Sequence, residues 1–397
     1  MGCVLVGQSG GPTSVINASV AGVIKEAFKH DKIDKVYGSF YGIEGVINED
    51  FYEFNHDVDL NLLATTPAAA LGSARYKLSN SLDDEIYDKI IKVFQKYNID
   101  YFFYIGGNDS MDTCNKISKY CSLHNIDIKV IGIPKTIDND LIVTDHCPGY
   151  GSACKFVATS LLEIYRDINS YKRGRVTIVE IMGRDAGWLT ASAALTEVAG
   201  DKIDLIYLPE IAFDINEFLT SVNEIYQKNS KVLVAVSEGI RDKNGEYILK
   251  YRNFNNNDHF GHLQLGGVAE VLAEIVGTKL KYPVRAIELS LLQRCASHIA
   301  SLTDLEEAMK CGEHAMIEAL NGATNVMITI LKENNNTVFG TTSLDIVANQ
   351  VKPFPKEWII DNNHISYEYV KYALPLIQGE SKPIYKNGLP VYLKIKA

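Results

Sequence analysis

Short apolar runs alternate along the chain with longer segments in which apolar residues recur every three or four positions. The short runs are typical of buried strands, and they predict strands at residues 3–6, 36–40, 101–105, 175–181, 204–208, 231–236 and 283–289. The longer patterns predict helices at residues 81–97, from about 150 to 168, at 188–197, and from just after residue 294 to about 320. Such alternation is typical of parallel sheets covered by helices on both faces, so we expect an α/β fold. Residues 334–336, all asparagine, predict the turn of a late hairpin.

Two glycine-rich loops each follow a predicted strand and precede a helix. The first, GQSGGP at residues 7–12, leads to a helix whose N-cap is expected at Thr13 or Ser14. The second, GGNDS at residues 106–110, leads to a helix expected to be capped by Asp109 or Ser110. Such helix starts favour an anion, the dipole contributing about 0.3–1 kcal/mol. The first loop lacks both the P-loop ending and G-x-G-x-x-G spacing, so a plain strand-to-helix turn is the alternative.

The segment IGIPKTIDND at residues 131–140 carries two carboxylates beside a lysine and a threonine, just beyond a strand end. Buried charge is costly unless it is paired, and ligands of open α/β sheets bind at the carboxyl ends of parallel strands. We therefore interpret Asp138 as a candidate general base, which must lie within hydrogen-bonding reach of the proton that it removes. The alternative is that Asn139 and Asp140 simply form a turn, as these residue types often do.

Other loops carry charged side chains among small residues. Arg75 ends the loop LGSAR, and MGRDAG at residues 182–187 follows a predicted strand, as SEG does at residues 237–239. An arginine with little bulk around it is able to bind a phosphate with two parallel hydrogen bonds. A solvated loop residue is the alternative interpretation of Arg75.

Composition narrows the function classes. The formal net charge of -10 argues against a nucleic-acid-binding protein, which carries a basic patch. The sequence contains no apolar run long enough to span a membrane and begins directly with a strand, so we expect a cytoplasmic protein.

Seven cysteines without a C-x-x-C motif indicate reduced, mostly buried thiols rather than disulfides or a zinc site. The pair His259 and His262 lacks a third ligand nearby and an H-E-x-x-H context, so we do not interpret it as a metal site. The G-x-S-x-G motif of many serine hydrolases is also missing.

Taken in order, these motifs resemble the phosphofructokinase family, and more closely its pyrophosphate-dependent branch. The resemblance extends over residues 1–294, roughly three quarters of the chain. Residues 7–11 and 106–110 resemble the family's two phosphoryl-donor loops, residues 134–140 its catalytic loop, and residues 182–184 and 237–239 its sugar-binding loops. The resemblance implies phosphoryl transfer from pyrophosphate to the 1-hydroxyl of fructose 6-phosphate, reversibly, with Mg²⁺, in glycolysis and gluconeogenesis.

The resemblance also implies roles for individual residues. Asp138 is the base that activates the sugar hydroxyl, and the other catalytic residues are Lys135, Thr136 and Asp109. The donor-binding residues are Gly11, Arg75, Gly107, Asn108, Asp109 and Ser110. The substrate-binding residues are Thr136, Asp138, Arg175, Met182, Gly183, Arg184, Glu238, Arg285, Leu291 and Arg294. Arg175, Arg285 and Arg294 fall where the family places arginines around the 6-phosphate, some reaching in from a neighbouring subunit, which implies a homodimer or homotetramer.

Departures from the family pattern carry information of their own. Asn108, the candidate metal ligand, stands where ATP-using members have a magnesium-binding aspartate, and Leu291 stands where the family often has a histidine or tyrosine. Ala21 replaces an arginine of the nucleotide effector site, so no allosteric control through that site is expected. Asp109 and Lys135 stand where ATP-using relatives have glycine, which favours pyrophosphate as the donor.

A chain of 397 residues is expected to form about two domains. Together with the alternation of strands and helices, the resemblance implies two Rossmann-like three-layer α/β/α domains with mainly parallel sheets and the active site in the cleft between them. The expected domains are residues 1–149 joined by part of about 295–350, and residues 150–294 joined by the segment to 397. An ATP-dependent 6-phosphofructokinase is the alternative from the same fold, and a non-catalytic sugar-phosphate-binding regulator is the alternative from another class.

Overall fold

The protein is described by a computed structural model covering residues 2–252, 266–334 and 336–395. The strands of these residues are β1 Gly2–Gln8, β2 Ile33–Ser39, β3 Phe51–Phe54, β4 Ile99–Gly106, β5 Lys129–Pro134, β6 Val176–Ile181, β7 Leu205–Tyr207, β8 Val232–Ser237, β9 Val284–Glu288, β10 Val326–Glu333, β11 Asn336–Ser343, β12 Ile359–Ile360, β13 His364–Ile365, β14 Tyr385–Lys386 and β15 Leu389–Pro390. Every strand predicted from an apolar run is present, with its ends shifted by a few residues at most.

The α-helices of the described residues are α1 Ile16–Ala27, α2 Ile43–Asn48, α3 Leu60–Thr65, α4 Glu85–Lys96, α5 Asn108–Leu123, α6 Tyr150–Asn169, α7 Trp188–Ala191, α8 Ile215–Asn229, α9 Val268–Lys279, α10 Leu292–Cys295, α11 Leu302–Leu320, α12 Leu344–Val347 and α13 Tyr367–Ala373. Short 3-10 helices lie at Ser192–Ala199, Ile248–Arg252, Ser297–Ile299, Lys356–Trp358 and Leu374–Ile377. Within the described parts of the chain, every helix is too short or too polar to cross a lipid bilayer.

The larger sheet contains seven of the described strands in the order β11-β10-β5-β4-β1-β2-β3. Its inner pairs are parallel, whereas the edge strands β3 and β11 run antiparallel to their neighbours. Side chains alternate between its faces, as the pleat requires: Val4 and Val6 join a core with α1 and α11, and Cys3 and Leu5 join a core with α4 and α5. The sheet is therefore the middle layer of three.

The second sheet contains four of the described strands, all parallel, in the order β7-β8-β6-β9. One face packs against α6, α7 and α13, and the other packs against α8 and α9. The predicted α/β fold with mainly parallel sheets covered on both faces is thus confirmed.

The last part of the chain contributes to both sheets. The predicted hairpin is confirmed, because β10 and β11 pair antiparallel up to Glu333 and Asn336, and β10 adds to the larger sheet beside β5. Helix α13 instead packs on the 3-10 helix Ser192–Ala199, over the second sheet.

The sequence pattern missed several short elements. Helices α2 and α3 and the edge strand β3 lie in a region without clear periodicity, and they are too short for the apolar pattern to identify. The helix predicted at residues 188–197 consists of the four-residue α7 followed by a 3-10 helix. The predicted N-cap of α1 was also wrong: Val15 holds that position, and Thr13 Oγ1 accepts a hydrogen bond from Val15 N (3.3 Å), which closes the loop before the helix.

All seven cysteines are free thiols, and six of them are buried, as expected. Burial raises the pKa of the Cys114 thiol well above its ordinary value, so this group stays protonated. The pair His259 and His262 lies outside the described residues.

Candidate functional site

Three loops meet at one edge of the larger sheet. Strands β1, β4 and β5 are parallel neighbours, so their carboxyl ends lie side by side. They lead into the first glycine loop (residues 7–12), the second glycine loop (residues 106–110) and the loop between β5 and α6, called here the acidic loop (residues 135–148). The backbone N–H of Lys135 donates to the carbonyl of Gly106 at 3.1 Å, which joins the last two loops directly.

Lys135 links the acidic loop to the first glycine loop. Its ammonium Nζ donates to the carbonyl oxygen of Gly11 at 2.6 Å, and the side chain is only 2% exposed. Burial, together with the nearby charges of Arg294 and Arg75, lowers the pKa of Lys135 to about 7, although Asp138 and Asp140 oppose the shift. Because an added anion stabilises the charged ammonium, this position is suited to receive a phosphate group.

Asp138 lies in the acidic loop with its side chain partly buried. Burial and the neighbouring carboxylate of Asp140 raise the pKa of Asp138 to about 7, and the positive charges of Arg184 and Lys135 only partly offset this. The backbone N–H of Asp138 donates to Thr136 Oγ1 at 3.0 Å, which fixes the turn that presents the carboxylate. A carboxylate with a pKa near neutrality is suited to accept and return a proton at neutral pH.

Asn108 and Asp140 form a second polar pair beside Asp138. Asn108 Nδ2 donates to Asp140 Oδ2 at 3.1 Å, whereas Asn108 Oδ1 is buried and accepts no hydrogen bond from the described residues. Burial raises the pKa of Asp140, partly offset by hydrogen bonds from its own backbone, Asn108 and Thr136. The alternative in which Asp140 only forms a turn does not account for this pairing.

Asn139, which lies between Asp138 and Asp140, does form a turn. Its φ of 54° lies in the left-handed region, which asparagine tolerates better than most residues. Its Oδ1 accepts from the backbone N–H of Cys147 (3.0 Å), and its Nδ2 donates to the hydroxyl of Tyr372 (2.8 Å). The loop therefore places Asn139 inward, toward the protein, and alternates it with the two aspartates.

The second sheet presents its own loops at its carboxyl edge. Met182, Gly183 and Arg184 follow β6, and Glu238 follows β8, where its Oε1 accepts from the backbone N–H of Gly183 at 3.3 Å. Burial and the charge of Asp138 raise the pKa of Glu238 to about 7. The two carboxylates therefore lie close enough to interact, although they follow strands of different sheets.

Arg294 reaches across to the first glycine loop. A Cβ added to Gly11 would lie 2.9 Å from Arg294 Nη1, so glycine leaves room for the guanidinium. Burial and the charge of Arg75 lower the pKa of Arg294, while Asp138 and Glu238 act in the opposite direction. Arg75 itself is exposed.

Gln293, which sequence reasoning missed, supports the same region. Its Oε1 accepts from the backbone N–H of Met182 at 3.1 Å, and its Nε2 donates to the carbonyl of Ser290 at 2.9 Å. Its position just after β9 and directly before Arg294 was the only signal in the sequence.

The second glycine loop differs from its predicted form at the helix start. Gly107, not Asp109 or Ser110, is the N-cap of α5, and no side chain caps the helix. Ser110 is buried against Gly106, where an added Cβ would meet Ser110 Oγ at 1.9 Å. Asp109 lies in the first turn. The helix start therefore keeps its backbone N–H groups for an anion, which favours the predicted use of this loop.

Arg175 and Arg285 are not brought together with the other predicted site residues. They lie at the amino ends of β6 and β9, where they line a separate cavity of about 680 Å³. Met182 follows the carboxyl end of β6, which places it about 20 Å away at 3.3 Å per residue. Leu291 precedes α10 and is 54% exposed.

Comparison with known proteins shows the family to which the chain belongs. The family model described as "Phosphofructokinase" matches residues 3–333. The pyrophosphate–fructose 6-phosphate 1-phosphotransferase of Halomonas elongata is 40% identical, over 98% of this chain and 94% of the relative. The protein of the same name from Methylococcus capsulatus is 38% identical, over the same shares of the two chains.

A solved structure shares the fold as well as the sequence. The crystal structure of the pyrophosphate-dependent phosphofructokinase of Nitrosospira multiformis matches with a TM-score of 0.90 and 37% identity. The match covers 99% of this chain and 96% of that chain, so it includes both sheets and the segment after β11.

Proposed function

The chain belongs to the phosphofructokinase family, and we propose that it transfers a phosphoryl group from pyrophosphate to the 1-hydroxyl of fructose 6-phosphate. The products are fructose 1,6-bisphosphate and phosphate, and the reaction is reversible. The observation that carries this proposal is the buried Lys135 ammonium, which donates to the carbonyl of Gly11 and interacts electrostatically with the carboxylate of Asp138. This arrangement combines a site for a small anion with a base.

Asp138 accepts the proton of the attacking sugar hydroxyl. A base whose pKa is about 7 is half ionised at neutral pH and still basic enough to take the proton as the oxygen bonds to phosphorus. In the reverse direction the protonated carboxyl returns the proton to the departing oxygen. Such general-base catalysis typically contributes about 10²–10⁴ in rate.

Positive charge and backbone N–H groups stabilise the transferring phosphoryl group. Lys135 supplies a buried ammonium, Arg75 adds a second positive charge, and the uncapped start of α5 offers its N–H groups beside Gly107. The Thr136 hydroxyl, already hydrogen-bonded by Asp138 N, lies beside the same position. Neutralising charge in a site shielded from water is most of what phosphoryl transfer requires.

The residues beside Asp138 fit a Mg²⁺ ion. Asn108 Oδ1 is a buried oxygen that accepts no hydrogen bond from the described residues, and the Asp140 carboxylate lies next to it. The described residues contain no cluster of three or more acidic, histidine or cysteine ligands. Mg²⁺ characteristically uses only one or two protein oxygens together with substrate phosphates. We propose that Asn108 and Asp140 hold it, where it would neutralise phosphate charge when bound.

The sugar phosphate binds between the loops of the two sheets. Glu238, with Met182 and Gly183, positions the sugar ring, and Arg184 and Arg294 supply positive charge beside Asp138. We propose that Leu291, which is exposed directly before α10, lies near the entrance to the sugar-phosphate site.

We also propose a division into two domains with the active site in the cleft between them. Residues 1–149, joined by part of about 295–350, form one domain, and residues 150–294, joined by the segment to 397, form the other. The pairing of β10 with β5 and the packing of α13 over the second sheet support this division.

We propose that nucleotides do not control the enzyme through the family's effector position. Ala21 is fully buried in α1, within the core shared with α11. It offers neither charge nor access to an anionic effector.

A coupled assay tests the proposed reaction. With fructose 6-phosphate and Mg²⁺, formation of fructose 1,6-bisphosphate is measured with pyrophosphate and with ATP as donors. We expect kcat/KM for pyrophosphate to exceed that for ATP by about three powers of ten. A higher value for ATP would favour the ATP-dependent alternative, and inactivity with both donors would favour a non-catalytic regulator.

We further propose that Arg175 and Arg285 serve the active site of a neighbouring subunit, so that the enzyme is an obligate homodimer or homotetramer. The motivation is their distance from the other site residues and their place in a separate cavity at the opposite edge of the second sheet. An arginine there cannot reach its own chain's site, but a symmetric partner is able to bring its site to it.

Mixing two inactive variants tests this arrangement. Asp138→Asn and Arg285→Ala are each expected to be inactive alone. After subunit exchange, hybrids contain one intact site, and about a quarter of wild-type activity returns for a randomly mixed dimer. Arg173→Ala, in the same cavity, serves as a control for nonspecific damage. Absence of any recovery after confirmed subunit exchange, or full activity of an isolated monomer, would contradict the proposal.

A further inference from the structure

The segment after β11 lies beyond residue 333, where the family match ends, yet it holds the acidic loop. We propose that Tyr372 and Lys352 are positioning residues that fix residues 139–145 behind Asp138 and connect this loop to α7 of the second sheet. The proposal rests on the proposed function, because it assigns these side chains a part in placing the base.

Tyr372 joins the two ends of residues 139–145. Its hydroxyl accepts from Asn139 Nδ2 at 2.8 Å and donates to the carbonyl oxygen of Asp145 at 2.9 Å. Burial and the charge of Asp145 raise the pKa of Tyr372, so the hydroxyl keeps the proton that it donates. One hydroxyl group therefore bridges the residue directly after the base and the residue six positions further on.

Lys352 holds the same stretch from a second side. Its ammonium Nζ donates to the carbonyls of Thr144 (3.1 Å) and Asp145 (2.8 Å), and its backbone N–H donates to the carbonyl of Asp140 (2.7 Å). A single residue thus binds three carbonyl oxygens of the acidic loop. Burial lowers the pKa of Lys352, but Cys147, Asp145 and Asp140 act in the opposite direction.

The acidic loop needs such external contacts because of its backbone. Asn139 and Val143 have φ values of 54° and 66°, in the left-handed region. For a β-branched residue such as Val143 this conformation is a genuine outlier, and it persists only where the surrounding structure imposes it. Removing an external contact is therefore expected to let the loop relax.

Both positioning residues also contact Trp188, the first residue of α7. Trp188 Nε1 donates to the carbonyl of Lys352 at 3.0 Å, and Lys352 Nζ lies 5.0 Å from the centre of the Trp188 ring. The ring of Tyr372 lies 5.4 Å from that of Trp188, centre to centre. Because Trp188 follows Arg184 by four residues, the C-terminal segment connects the base to the loop that carries Arg184.

Glu210 reinforces this connection. Its Oε1 accepts from the backbone N–H groups of Gly187 (2.8 Å) and Phe354 (2.9 Å). The start of α7 and the C-terminal segment are therefore held by a shared carboxylate as well as by Trp188. A displacement of about 1 Å at a reacting group is able to cost about 10²-fold in rate, so these contacts bear directly on turnover.

Tyr372→Phe tests the role of the hydroxyl in the intact enzyme. We expect the single-turnover rate of phosphoryl transfer to fall about tenfold while KM for both substrates stays within about twofold. Amide hydrogen exchange within residues 136–149 is expected to accelerate. The matched control is Tyr369→Phe, which removes a buried hydroxyl from the same helix; that group bonds to Tyr150 and the Trp188 carbonyl, not to the acidic loop.

Lys352→Met supplies a second test that does not depend on the stability of Tyr372→Phe, and Lys352→Arg is expected to restore part of the rate. The proposal would be overturned if both Tyr372→Phe and Lys352→Met kept the wild-type single-turnover rate and the wild-type amide hydrogen exchange of the acidic loop. It would also be overturned if Tyr369→Phe lost as much of the rate as Tyr372→Phe does. Amide hydrogen exchange is measured in the absence of substrate. If wild-type enzyme lacks the activity, the proposed function fails, whereas an active wild type with unaltered variants refutes the positioning role alone.

Discussion

Replacing Asp138 by asparagine is expected to lower turnover by about 10²-fold or more, while the affinity for fructose 6-phosphate changes by no more than a few fold. Asparagine keeps nearly the same shape but cannot accept the hydroxyl proton. The loop should keep its conformation, because its turn depends on Asn139 and on the hydrogen bond from the backbone N–H of Asp138 to Thr136. Turnover close to that of the wild type would remove Asp138 from the role of base.

The pH dependence of kcat/KM provides an independent check on this assignment. Asp138 must be ionised to act, and its pKa is raised to about 7, so activity rises as pH increases through about 7. Lys135 must be protonated, and its pKa is lowered to about 7, so activity falls as pH increases further. A narrow bell near neutral pH is expected for the free enzyme.

The rising limb belongs to a cluster rather than to one group. Asp140 and Glu238 interact electrostatically with Asp138, so the apparent value describes the set of carboxylates together. Asp138→Asn should remove this limb and leave the falling limb due to Lys135. A rising limb that persists in the residual activity of the variant would indicate another base.

The parts of the fold that could be predicted are those set by local pattern. The buried runs of β4 and β8 and the amphipathic α4 follow from apolar spacing alone, and the glycine loops follow from their position after strands. The helix caps were predicted less well than the strands and helices. Gly107 takes the cap position of α5 because it is the single residue between the end of β4 at Gly106 and the start of α5 at Asn108, although Asp109 and Ser110 are better intrinsic caps.

The supporting residues of the site depend on contacts between distant parts of the chain. Gln293 binds Met182 across 111 positions, and Tyr372 binds Asn139 across 233 positions. Neither glutamine nor tyrosine carries a local signal for such a role. Asp138 could be proposed as the base from sequence because the polar residues around it lie within one short segment. The residues that hold this segment in place became visible only in the folded chain.

Asp109→Gly is expected to admit ATP as a donor. Asp109 lies in the first turn of α5, beside the proposed phosphate position, and it is not the helix cap, so capping does not explain its presence. In the proposal its carboxylate occupies the volume that the α-phosphate of ATP would need. Two like charges about 4 Å apart cost on the order of 4 kcal/mol at a surface-like dielectric, or about three powers of ten in affinity.

In the proposal, Lys135 supplies the attractive contribution to donor choice. Its ammonium lies at the first glycine loop, with its pKa lowered to about 7, and pyrophosphate would stabilise its charged form. Lys135→Gly should therefore reduce pyrophosphate-dependent turnover more than Asp109→Gly does. The two residues together favour a small donor by attraction and disfavour a nucleotide by repulsion and bulk.

The decisive measurement is kcat/KM for both donors in the wild type, Asp109→Gly and Asp109→Asn. Asparagine keeps the volume of the side chain and removes its charge, so it separates bulk from repulsion. If repulsion dominates, both variants gain ATP use; if bulk dominates, only the glycine variant does. Strong ATP use by the unmodified enzyme, or no gain in Asp109→Gly, would contradict this explanation of donor choice, because the repulsive carboxylate would then be either ineffective or misplaced.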